Sequence, residues 1–159
     1  MENKLIQAEL LDKKLKALYY LEANIIDNII EIGKIWHEIH SQKLWKYSGT
    51  ECKTFRQFCE QECMRSHATV YNFINIYKKF GNCAEGKTVE YSRLVKALPF
   101  VQDEKDAEDW LHKAITLPKS AYEDSIREAQ KKMPTDQCEH PEREQEIWQR
   151  CKKCGKFYK

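Results

Sequence analysis

The sequence predicts an all-α protein. Five glycines and four prolines among 159 residues leave few places for the chain to turn. Leu, Ile, Glu, Lys and Ala recur at three- and four-residue steps, and no stretch alternates apolar and polar residues as a half-buried strand would. The length suits one compact domain, or one domain with a small appendage, and is enough to bury a core.

From Leu5 to Ile39 only Gly33 interrupts a run of good helix formers. Leu11, Leu15, Leu18, Leu21, Ile25, Ile29, Ile32, Trp36 and Ile39 step by three and four and define one apolar seam. Ile26, Ile30 and Ile35 widen the stripe, which therefore needs cover from more than one side. Two arrangements satisfy it. One is a single long helix that pairs with a second copy in a homodimer, and the other is a break near Asn24 to Asp27 that packs two helices within one monomer. His37 and His40 sit near the end of this segment, where cationic side chains suit the helix dipole, and read as surface or capping residues.

Residues 54 to 79 read as two short helices around a tight turn. Thr54 and Gln57 have the spacing of a capping box, and Phe55, Phe58 and Cys59 share one face of the helix that follows. Ser66 caps the next helix, whose Val70, Phe73, Ile74 and Tyr77 face the first. Two capped helices around a turn are the layout of a helix-turn-helix. The side chains left outside are Arg65, Ser66, His67, Thr69, Asn72, Asn75, Lys78 and Lys79, which can hold phosphates or read base edges in a major groove. On that reading alanine at Asn72 costs about 1–3 kcal/mol at one base pair.

Further on, Gly81-Asn82 reads as a helix stop, Ser92 as the cap of a short helix and Pro99 as its end. Asp103 to Leu117 form an acidic-started helix with Ala107, Trp110, Leu111, Ala114 and Ile115 inward. Pro118 to Lys132 form another, with Ala121, Tyr122, Ile126 and Ala129 inside. Arg93 and Lys96 stand as secondary candidates for phosphate contact.

These residues resemble a family. Ile32-Gly33-Lys34-Ile35-Trp36-His37-Glu38-Ile39, then Leu44-Trp45, Thr54-Phe55, Phe58-Cys59-Glu60, Ser66 and Tyr71 to Ile74 are similar to phage and plasmid proteins with ParB-like helix-turn-helix domains. The likeness covers roughly residues 30 to 80. Val70 stands where that pattern has alanine, and Met64-Arg65 where it has a glycine and an aliphatic residue at the turn. The resemblance implies a helix-turn-helix that binds double-stranded DNA, with further helices behind it and Cys59 as a core residue.

Charge is segregated along the chain. Lys and Arg against Asp and Glu number 5 to 7 in residues 1–39, 7 to 3 in 40–80, 7 to 10 in 81–130 and 8 to 5 in 131–159. The basic excess sits on the helix-turn-helix and on the tail. The acidic 103–128 stretch suits a protein partner instead.

After a linker-like Met133-Pro134-Thr135-Asp136 come Cys138, His140, Cys151 and Cys154. Cys-x-x-Cys followed by Gly-Lys is a zinc knuckle, whose turn brings two thiolates to one ion. With Cys138 and His140 it makes a Cys3His set, a closed shell that is structural rather than catalytic and orders its segment on binding Zn2+. Cys59, Cys63 and His67 also step by four, but the turn falls among them, so they read as buried thiols and a helix-start histidine.

Three segments follow: a helical 1–45, the helix-turn-helix with its supporting helices over 46–132, and the zinc tail 133–159. No signal peptide or membrane-spanning run is visible, and the expected location is the cytoplasm. No Walker motif, nucleophile elbow or open metal site invites an enzyme. The leading expectation is a sequence-specific DNA-binding regulator of a phage or mobile element. Its rival is a phage-encoded module that docks on a host protein.

Overall fold

The computed structural model describes residues 2–22, 25–49, 52–84, 86–132, 149–150 and 157–158. Its body is helical: α1 (Glu2–Glu22), α2 (Ile25–Ser41), a 3-10 turn (Leu44–Tyr47), α3 (Phe55–Gln57), α4 (His67–Ala84), α5 (Tyr91–Ala97), α6 (Glu104–Thr116) and α7 (Lys119–Lys132). A π turn, Phe58–Glu62, extends α3, and a second 3-10 turn, Leu98–Phe100, extends α5. Among the described residues no helix is long and apolar enough to cross a membrane.

The amino-terminal segment is two helices, not one. Lys14 on α1 is ion-paired with Glu38 on α2, yet in one straight helix these residues would lie about 36 Å apart. Leu11 and Leu18 share a core with Ile32, Trp36 and Ile39. The seam that the single-helix reading left for a second copy is thus covered by α1 folding back on α2. Leu5, Ile6, Tyr19 and Tyr20 remain exposed on the outer face of α1.

The core continues across residue 45. Leu44, Phe55, Phe58, Cys59, Val70, Phe73 and Ile74 belong to the same buried cluster as the first two helices. The broadest contact is between α2 and α4, and Gly33 allows it. A Cβ at this position would lie 2.4 Å from the Phe73 carbonyl oxygen and 2.7 Å from the Tyr77 Cβ. Only a residue without a side chain lets the two backbones approach so closely.

The turn before α4 is built from local bonds. Thr54 Oγ1 accepts from the Gln57 amide at 3.2 Å, and Gln57 Oε1 reaches back to the Lys53 amide at 2.8 Å. Cys63 and Arg65 amides donate to the Phe58 and Cys59 carbonyls, which close the π turn. Met64 then adopts φ +52°, the left-handed region, in the position where the resembled proteins carry glycine. Ser66 caps α4, its Oγ accepting from the Thr69 amide at 3.1 Å.

Behind α4 the ends differ from the sequence reading. Gly81 lies inside α4, which runs on to Ala84, and the turn comes at Gly86 with φ +71°. Ser92 is inside α5, whose cap position is Glu90. Asp103 does cap α6, accepting from the Asp106 amide at 2.8 Å. Ile115 is exposed rather than inward, because Ala107, Trp110, Leu111 and Ala114 already fill the face toward α4. Tyr122 on α7 is buried and donates to the Arg93 carbonyl at 2.7 Å.

Two compact units divide the chain, Met1–Ile126 and Arg127–Lys159, with the boundary inside α7. In the second unit β1 (Gln149–Arg150) pairs antiparallel with β2 (Phe157–Tyr158). The sequence reading had no strand there, since two residues per strand are too few to show alternation.

Gly33→Ala should lower stability by about 1–3 kcal/mol, because the added methyl meets backbone rather than a movable side chain. A thermal melt followed by circular dichroism should show the midpoint falling by several degrees, and an unchanged midpoint would mean that the helices are not in such contact. Met64→Gly should act the other way. Relief of left-handed strain, about 1–2 kcal/mol, exceeds the added freedom of the unfolded chain, about 0.5–1 kcal/mol, so the same melt should rise by a few degrees or less.

Candidate nucleic-acid interface

Val70, Phe73, Ile74, Ile76, Phe80 and Ala84 bury one face of α4. At 100° per residue the opposite edge carries Ala68, Asn75, Lys79 and Asn82, all exposed, with Tyr71 and Lys78 on one flank and Asn72 on the other. None of the helix's 18 residues is acidic. Its amino-terminal backbone amides, with their partial positive charge, are therefore uncompensated by any carboxylate of its own.

The candidate residues divide into two groups. Asn75 is exposed on the outer edge and Lys78 on one flank, and His67 is half-buried at the helix start. The others are partly committed to the fold. Ser66 and Thr69 join hydroxyls at 2.9 Å within the cap. Asn72 is hydrogen-bonded to the side chain of Tyr91, whose hydroxyl burial pushes above its ordinary range while this bond pulls it back. Lys79 donates to the Leu98 carbonyl at 2.8 Å and the Val101 carbonyl at 2.6 Å. Arg65 is ion-paired with Glu22 at the end of α1.

Arg93 and Lys96 also serve the fold. Arg93 donates to the Ala114 and Leu117 carbonyls at 2.9 and 2.7 Å, closing the end of α6, and Lys96 pairs with Glu123 at 3.1 Å.

Sequence reasoning missed one side of the candidate surface. His40 Nε2 lies 3.0 Å from the Tyr71 hydroxyl. The His67 ring sits 4.4 Å from the Tyr71 ring, and His40 packs edge-on to Phe55 at 4.7 Å. His37 lies one turn away against Tyr77, ring centroids 5.6 Å apart. His40 is thus wedged between α2, α3 and α4 rather than standing free as a surface cap. Burial depresses its pKa below 6.5, and the neighbouring Lys78, His37 and His67 depress it further. The sequence signal was weak: His37 and His40 share a face, but only the close approach at Gly33 shows that this face meets α4.

The cysteines of the helical body offer little chemistry. Cys59 is fully buried, and burial pushes its thiol up to about 12, with Glu60 adding to the effect. Burial pushes Cys63 to about 12 as well. Both stay protonated at neutral pH, and a thiol is a poor nucleophile and metal ligand. Among the described residues no group of three or more His, Cys, Asp or Glu is arranged to hold a metal ion. The tail candidates Cys138, His140, Cys151 and Cys154 lie outside the described residues.

Comparisons with protein-family models, with curated proteins and with solved structures gave no match.

Proposed function

We propose that this chain binds double-stranded DNA, with α4 in the major groove. The observation that carries the reading is α4 itself: an 18-residue helix without an acidic residue, behind a capped turn, with Asn75 exposed on its outward edge and Lys78 exposed on one flank. An α-helix about 10–12 Å across fits a groove about 12 Å wide, and a helix without carboxylates of its own can enter between phosphates. Asn75 is the side chain best placed to read a base, since it is exposed while Asn72 is shared with Tyr91. The role is that of a regulator from a phage or mobile element, in keeping with the ParB-like pattern in residues 30 to 80. No step in this role requires catalysis.

The tail fits a structural zinc site formed by Cys138, His140, Cys151 and Cys154. Support comes from the donor chemistry and from the pairing of Gln149–Arg150 with Phe157–Tyr158. In sequence that pairing flanks the Cys-Lys-Lys-Cys-Gly-Lys segment, whose Cys-x-x-Cys spacing is that of a zinc ligand pair. Bound zinc would hold the segment together; the helical body has its own core.

A second reading, docking on a host protein, draws on α6. Its Glu104, Glu108 and Asp109 are exposed, and Glu104 accepts a hydrogen bond from Asn82 of α4 at 3.5 Å.

Selection from a random oligonucleotide pool should recover a motif, with binding that weakens steeply as salt rises. Asn75→Ala should then lose about 1–3 kcal/mol of discrimination at one base pair. Recovery of no motif, together with no salt-dependent binding, would remove the DNA reading. For the tail, elemental analysis of the purified chain should find one zinc per molecule, lost in the Cys151→Ser and Cys154→Ser double variant while the far-ultraviolet helical signal stays. Retention of the metal in that variant would remove these ligands.

A further inference from the structure

We infer that the seam between α2 and α4 is a seat for a DNA backbone phosphate, formed by His37, His40, His67, Tyr71 and Lys78, and that it takes up protons as it binds. The inference rests on the DNA reading above and deepens it. Four of the five residues are half-buried and Lys78 is exposed, so the group is open to solvent along one side.

The position suits a phosphate. His67, Tyr71 and Lys78 lie on the flank of α4 that faces α2, beside the edge that carries Asn75. When that edge faces the bases, a helix that nearly fills the groove turns its flanks toward the two sugar-phosphate strands. The opposite flank is closed off, because Asn72 is bonded to Tyr91 and Lys79 to the carbonyls of Leu98 and Val101. The α2 side is therefore where this helix can meet a phosphate strand.

The charges suit an anion. From its own helix His40 feels His37, and from α4 it feels Lys78 and His67; all three are cationic or can become so, and all oppose its protonation. From α3 the neighbour is the uncharged ring of Phe55. A phosphate placed among these groups replaces mutual repulsion with attraction, so protonation becomes favourable in the complex.

The bond to Tyr71 adds a proton switch. Neutral His40 can accept the Tyr71 hydroxyl hydrogen at Nε2, but imidazolium carries hydrogen on both nitrogens. Once protonated, His40 must donate to the Tyr71 oxygen across the same 3.0 Å, and the hydroxyl hydrogen is released to point at an anion. One proton taken up by His40 thus gives the seat a positive charge and one new donor toward phosphate, the Tyr71 hydroxyl.

The signs for folding and for binding are opposite. The folded pKa of His40 is depressed, so its contribution to stability is present above 6.5 and is lost as the pH falls through the folded value. Binding of phosphate raises the His40 pKa, so affinity grows over that same fall.

The test is fluorescence anisotropy of the full chain on a short random-sequence duplex at fixed ionic strength. Affinity should rise about three- to tenfold from about pH 8 to about pH 6, since one pKa unit corresponds to tenfold. Histidine ring resonances followed by NMR should show the His40 pKa moving up when duplex is added. In His40→Gln with His67→Gln the pH-dependent gain should disappear. Lys78→Gln, an exposed site that spares the fold, should raise the His40 pKa of the free chain and weaken duplex binding. Binding that is present but independent of pH, with unmoved histidines, overturns the seat and leaves the DNA reading standing. Absence of duplex binding at every pH overturns both, and histidines that respond to inorganic phosphate alone would then mark an anion site without DNA.

Discussion

The structure depends on the contact between two backbones at Gly33. With no Cβ there, α2 lies against the Phe73 carbonyl of α4, and Ile32, Trp36 and Ile39 reach Val70, Phe73 and Ile74 without a gap. That closeness fixes the rotation of α4 about its own axis, because its Val70, Phe73, Ile74 and Phe80 side must stay inward. The outward edge follows from the same rotation. So does the meeting of His40 with Tyr71 and of His37 with Tyr77, which are neighbours only because the helices cross so closely.

The cations that give residues 40 to 80 their basic excess do not all face solvent as free charge. Arg56 pairs with Glu60 one helical turn away, Arg65 pairs with Glu22, and Lys79 is bound to the carbonyls of Leu98 and Val101, at the start of the 3-10 turn after α5 and just past its end. Arg93 does the same for the carbonyls that end α6. Unsatisfied carbonyls at helix ends attract such donors, and a count of charges in the sequence cannot tell a capping lysine from a free one. No carboxylate belongs to α4 itself, while Glu104 of α6 reaches its Asn82 at 3.5 Å.

Much of the body was legible because its signals are local. The Thr54 and Ser66 caps, the inward set on α4, the Asp103 start of α6 and the buried Cys59 follow from side chains acting within one or two turns. What failed was set by tertiary contact. Heptad-like spacing is the same for a long helix and for two helices folded back, so residues 5 to 39 could not choose between them until Leu11 and Leu18 met Trp36. Gly81 looked like a stop, yet its neighbours Phe80 and Ala84 are buried and hold the helix through it. Part of the candidate site was hidden for the same reason: His37 and His40 gain meaning only from Phe55, Tyr71 and Tyr77, which lie beyond their own helix.

The turn shows how the fold accommodates the departure from the resembled pattern. Met64 occupies the left-handed region at a cost of about 1–2 kcal/mol. Its side chain is exposed and returns little by burial. The adjacent Arg65–Glu22 pair ties the turn to α1, but the arginine is 41% exposed, and such pairs contribute about 0–1 kcal/mol. That pair alone does not cover the strain. Phe58 and Cys59 lie fully buried just before the turn, and the Cys63 and Arg65 amides are bonded to their carbonyls. Burial of a phenylalanine alone is worth about 1.5–3 kcal/mol, enough to hold the chain in the strained path. The angle at which α4 leaves the turn is therefore set by the core beneath it, and the absence of glycine does not loosen the helix pair.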